Sequence, residues 1–103
     1  MRYDKLVRDF VCDKIKANGE RPRSHVASEE EFRLKLREKL IEEVGEFLSE
    51  ENGEELVDIL ETVFAFADLL DINRIELEEM RKKKEIERGA FRKRIILEEV
   101  LKD

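Results

Sequence analysis

The chain has 103 residues, enough for one domain and too few for two. Charged residues make up 47% of it and apolar residues 41%, which excludes a disordered chain and points to amphipathic helices that bury one face. The net charge of −6 argues against a nucleic-acid partner, no apolar run reaches the length of a membrane span, and the opening residues hold no apolar signal core, so the expectation is a cytoplasmic protein with no membrane association.

The first predicted helix covers residues 5–18. Leu6, Val7, Phe10, Val11 and Ile15 form its apolar stripe, and Asn18-Gly19 stops it. Residues 20–27, around Pro22, read as a loop in which Ser24-His25-Val26 is briefly extended. Ser28 opens the second helix as an N-cap. Glu31, three residues on, completes a capping box, and Glu29–Glu31 suit the positive end of the helix dipole. This helix is expected to run to Glu50, with Asn52-Gly53 as the turn. A third helix over 54–70 is apolar nearly all round, through Leu56, Val57, Ile59, Leu60, Val63, Phe64, Phe66 and Leu69, and is expected to be central and buried. A fourth spans 74–88 and stops at Gly89. The tail, 91–101, reads as a short extended piece followed by a helical turn. The fold expected is an all-α, four-helix-type bundle over residues 1–103. A core this small is expected to be completed by oligomerisation.

Several acids fall where a core face should be. At about 100° per residue, Phe32, Leu36, Leu40, Val44 and Phe47 share one arc of the second helix, and Glu43 projects inside that arc. Glu46 sits at its edge and Glu42 just beyond. On the third helix, Glu55 and Asp58 are three residues apart and share one side. Glu46 and Glu55 are about equidistant from the turn, so an antiparallel pair of helices would bring all five acids together. Burying an ionised carboxylate without a partner costs several kcal/mol. A hard divalent cation held by oxygen ligands would remove that cost, with Mg²⁺ the first choice and Mn²⁺ a substitute. Glu61 lies one turn further along and could join through water. The bland alternative, that helical glutamates are solvated or paired with Lys, suits Glu38, Glu50, Glu54, Glu78 and Glu79 better than it suits these five.

The pattern Glu42-Glu43-Val44-Gly45-Glu46 followed by Glu55-Leu56-Val57-Asp58 resembles the signature of the MazG-like all-α nucleoside triphosphate pyrophosphohydrolase superfamily. The opening Lys5-Leu6-Val7-Arg8-Asp9 and the stretch from Lys82 to Phe91, followed by Ile95-Ile96-Leu97-Glu98, are similar to its phosphoribosyl-ATP pyrophosphohydrolase-like members. The resemblance implies Mg²⁺-dependent hydrolysis of a nucleotide-type tri- or diphosphate to a monophosphate and pyrophosphate. It implies Glu42, Glu43, Glu46 and Asp58 as metal ligands, with Glu42, Glu43 and Glu55 as the catalytic carboxylates, Glu55 either ligating or orienting the water. Relatives of this kind are dimers or tetramers, so a homodimer or homotetramer is expected.

Lys5, Arg8 and Lys83 are the candidate contacts for substrate phosphates, against the plainer reading of surface pairing with acids. Asn73 is a loose site candidate, because relatives complete the site with Asn and Lys. Gly45, inside the acid-bearing helix, would allow close approach of a helix or of substrate. His25 reads as a lone loop residue and Cys12 as a small core residue. The alternatives to an enzyme are a regulatory module that binds metal or nucleotide without turnover, and a purely structural helical oligomer.

Overall fold

Ser28, Asn52 and Asn73 each sit in extended backbone. Each side-chain oxygen accepts a hydrogen bond from the backbone N–H three residues on, at 3.2, 2.9 and 2.9 Å. Such caps satisfy donors that the first turn of a helix leaves unpaired, and each starts a helix here. The computed structural model describes residues 3–102. These form α1 (Val11–Ala17), α2 (Glu29–Glu50), α3 (Gly53–Leu69) and α4 (Arg74–Arg88), with no strand among the described residues.

α2 ends because Glu51 turns into the left-handed region, at φ 46°, with its N–H donating to the Phe47 carbonyl. Asn52 then caps α3, so two residues connect the helices. The sequence places Gly53 in the turn, but it is the first residue of α3. The capping box at α2 is half made. Glu31 supplies its N–H to Ser28, but its carboxylate lies 2.8 Å from His25 Nε2, so His25 is paired. On α4, Arg81 bridges Glu78 and Glu85 along one face, and Gly89 ends the helix at φ 82°. Asn73 is spent on capping and also donates to Glu76 Oε1.

α1 is shorter than the predicted first helix. Residues 5–10 lie outside it, and Asp4 has φ 47°. The tail forms a turn, with the Arg94 N–H donating to the Phe91 carbonyl, and then runs without regular structure, so the expected helical turn is not formed. Its Ile95, Ile96 and Leu97 are exposed.

α3 is central in one sense: α2 packs along it and α4 touches it, while α1 packs against no helix. Its composition predicts burial, but it is not buried. Leu36, Glu43, Thr62 and Ala67 are the buried residues among those described, and Leu56, Val57 and Leu60 on α3 are about half-exposed. Cys12 is half-buried rather than in a core. The Cα radius of gyration is 18.6 Å and the chain extends over 68 × 31 × 22 Å, whereas a compact domain of 100 residues has a radius near 13 Å (about). The chain is therefore an α2–α3 hairpin with loosely attached flanks, and it does not close a four-helix bundle by itself. No helix of the described residues is long and apolar enough to cross a membrane.

Candidate metal centre

The tight turn at Glu51-Asn52 lays the last turns of α2 against the first turns of α3, and this sets two groups of acids face to face. Glu42, Glu43 and Glu46 of α2 bring one oxygen each to within 4.8 Å of one another, and so do Glu43, Glu55 and Asp58 across the two helices. Glu43 belongs to both groups. All five carboxylates expected at the site are thus assembled. α3 helps to carry Glu55, because acids in a first turn face the positive end of the helix dipole. The Thr62 hydroxyl donates to the Asp58 carbonyl one turn back, at 3.0 Å.

Glu43 stands at the centre. It is 5% exposed, as buried as the apolar Ala67. Lys39, one turn back on α2, sets its Nζ 3.3 Å from Glu43 Oε1, while Glu43 Oε2 has no hydrogen-bond partner. Glu55 Oε2 is likewise buried and without a partner. Burial pushes the Glu55 pKa up to about 7, with the neighbouring carboxylates of Glu46, Glu43 and Asp58 adding to the rise. Ionised carboxylates crowded in this way disfavour one another's charge. Lys39 was not singled out from sequence; its position four residues before Glu43 is the signal that could have found it.

Two more cations come from the segment before α1. Arg8 Nη2 donates to Asp58 Oδ1 at 2.7 Å, and Lys5 Nζ lies 3.6 Å from Glu42 Oε1. Glu46 and Glu55 pair with no cation among the described residues, so three cations face five acids and the site stays net negative. Glu61 points elsewhere and lies 3.9 Å from Arg74, whose guanidinium sits over the Phe64 ring. Lys83 is an exposed side chain of α4 that no ion pair ties to the acids. Gly45 has open space around the position a Cβ would take, so no close helix contact within the chain requires it.

The donor set fits a divalent cation. It is made of oxygens alone, which suits a hard ion. Its spread is only slightly wider than the roughly 4.2 Å that separates opposite ligands of Mg²⁺ at 2.0–2.1 Å. Glu43 Oε2 and Glu55 Oε2, buried and without partners among the described residues, are oxygens that such an ion could take up. The chain matches no family model, no curated protein and no solved structure.

Proposed function

We propose that this chain is a Mg²⁺-dependent pyrophosphohydrolase of the MazG-like kind, acting on a nucleotide-type tri- or diphosphate and, from a triphosphate, releasing a monophosphate and pyrophosphate. One observation carries the reading: a buried glutamate, Glu43, shared by two acid groups from two helices, with an oxygen left unpartnered. Glutamates that only solvate a helix surface are not buried, and those that only pair with Lys do not converge. In this reading Glu42, Glu43, Glu46 and Asp58 hold the ion. An ion held there would supply charge neutralisation at the phosphates and a lowered pKa for the attacking water. Glu55, which pairs with no cation among the described residues, is assigned to orient that water and accept its proton. Water attacks the phosphoryl group, the anhydride bond breaks and pyrophosphate leaves.

The test is pyrophosphate release across nucleoside triphosphates and phosphoribosyl-ATP, with Mg²⁺ or Mn²⁺ and with an EDTA control. Metal-dependent release is expected from at least one compound, lost in Glu43→Gln and Asp58→Asn while helix content is retained. Full activity in both variants would overturn the assignment. Metal and nucleotide binding without release would identify the regulatory module instead.

We further propose that a homodimer or homotetramer covers the half-exposed Leu56, Val57 and Leu60 and completes the bundle. A cytoplasmic location goes with this reading. Light scattering at working concentration should give a mass above that of one chain, and a monomer would refute it.

A further inference from the structure

The segment that crosses the acid cluster is held differently from the rest of the chain. Residues 5–8 form no helix, and α1, to which they connect, packs on no other helix. Tyr3 and Phe10 are exposed, and within residues 3–10 only Leu6 is partly buried. Apolar contact therefore anchors this segment weakly. Two ionic contacts tie it to two different helices, Lys5 to Glu42 on α2 and Arg8 to Asp58 on α3.

Those two acids come one from each acid group, and both are far more exposed than Glu43. Lys5 and Arg8 are themselves about half-exposed, and exposed ion pairs are weak and exchange readily. A divalent cation needs the same carboxylate oxygens and carries twice the charge. Once it takes them, Lys5 and Arg8 lose their partners and are left beside a centre that is no longer strongly negative. A guanidinium presents a planar fork that matches phosphate oxygens, and an ammonium serves as a point charge for them.

We propose that residues 3–10 form a counter-ion strap: Lys5 and Arg8 neutralise Glu42 and Asp58 in the metal-free protein, a divalent cation displaces them, and the released pair then binds the phosphate oxygens of the ligand. This rests on the metal-dependent reading above and deepens it. The strap makes anion recognition follow metal loading, because the two cations are committed to the acids until the ion arrives. It also holds Glu42 and Asp58 in place before the ion binds.

The test uses the full chain, Arg8→Gln and the double variant Lys5→Gln/Arg8→Gln, with Mn²⁺ alone and then with inorganic pyrophosphate. Calorimetry should show Mn²⁺ binding tighter by about threefold in Arg8→Gln and by roughly tenfold in the double variant, since each exposed pair is worth a factor of about 1.4 to 5. Pyrophosphate binding to the Mn²⁺-loaded protein should weaken by at least a similar factor, the opposite direction. Strap movement has its own readout. Tyr3 is the one tyrosine in a chain without tryptophan, and Lys5 Nζ lies 5.8 Å from its ring centroid. Intrinsic tyrosine emission should therefore change as Mn²⁺ is added, and tryptic cleavage after Arg8 should accelerate several-fold relative to cleavage after Arg94. Mn²⁺ affinity in the double variant equal to or weaker than that of the parent would overturn the strap, as would emission and cleavage at Arg8 that ignore the metal. A parent protein that binds no divalent cation would instead sink the metal reading itself, so the two failures are distinct.

Discussion

Replacing Glu43 by Gln should stabilise the metal-free protein and destabilise the metal-loaded one. The side chain is 5% exposed, and one of its oxygens has no partner. An unsatisfied buried polar atom costs about 1–3 kcal/mol. Gln has nearly the same shape, removes the charge, and brings an N–H that can donate to the orphaned oxygen of Glu55. Against this stands the loss of the Lys39 pair, whose lysine is 22% exposed, worth at most about 1 kcal/mol. The balance favours Glu43→Gln by about 1 kcal/mol, or roughly 4–8 °C in Tm for a domain of this size. Metal reverses the order. An ion present at 100 times its Kd stabilises the native state by about 2.7 kcal/mol, and Glu43→Gln removes the carboxylate common to both acid groups. The parent should therefore exceed the variant by about 1.5 kcal/mol in excess Mg²⁺. Urea unfolding followed by helical circular dichroism, at one protein concentration, in EDTA and then in Mg²⁺, reads both differences. A variant less stable than the parent in EDTA, or one that keeps the full metal increment, would refute the reasoning.

The Glu55 pKa, about 7 in the folded metal-free chain against 4.5 ordinarily, means that the folded state holds a proton the unfolded chain has lost. Between those pH values the unfolded chain binds fewer protons, so Glu55 makes the metal-free protein less stable as pH rises through the window. Urea midpoints in EDTA at pH 5 and pH 7.5 should fall more steeply with pH for the parent than for Glu55→Gln, and identical slopes would remove the basis for this. Gly45→Ala should raise stability by about 1 kcal/mol, because the added methyl meets nothing within 4 Å; a loss of stability in thermal unfolding would show that a second copy approaches α2 there. Asn52→Ala should cost about 1 kcal/mol in urea unfolding and should also weaken Mn²⁺ binding, because this cap accepts the backbone N–H of Glu55 and fixes the register of α3 against α2. Unchanged Mn²⁺ affinity would separate the turn from the site.

Much of this architecture could be read from local chemistry, and what could not has a long-range cause. The starts of α2, α3 and α4 follow from Ser28, Asn52 and Asn73, whose side chains reach only three residues ahead. The acid cluster was legible for a related reason. A two-residue turn forces α2 and α3 to run back along each other, so projecting Glu43 into the apolar arc was enough to foresee its burial. The segment before α1 was misread because Leu6, Val7 and Phe10 carry a helical spacing, whereas Lys5 and Arg8 reach acids 37 and 50 positions away, which no periodicity encodes. The turn chemistry misled as well: Gly53 looked like the breaker, but Glu51 takes the left-handed conformation and Gly53 opens the helix. α3 shows the deepest limit. An all-round apolar helix must be covered, yet its sequence does not say by what, and one chain leaves Leu56, Val57 and Leu60 half in water. Those residues occupy the same first turns of α3 that carry Glu55 and Asp58. Whatever covers them therefore also braces the helix that holds half of the acid cluster, and metal affinity should rise with protein concentration if that cover is a second copy.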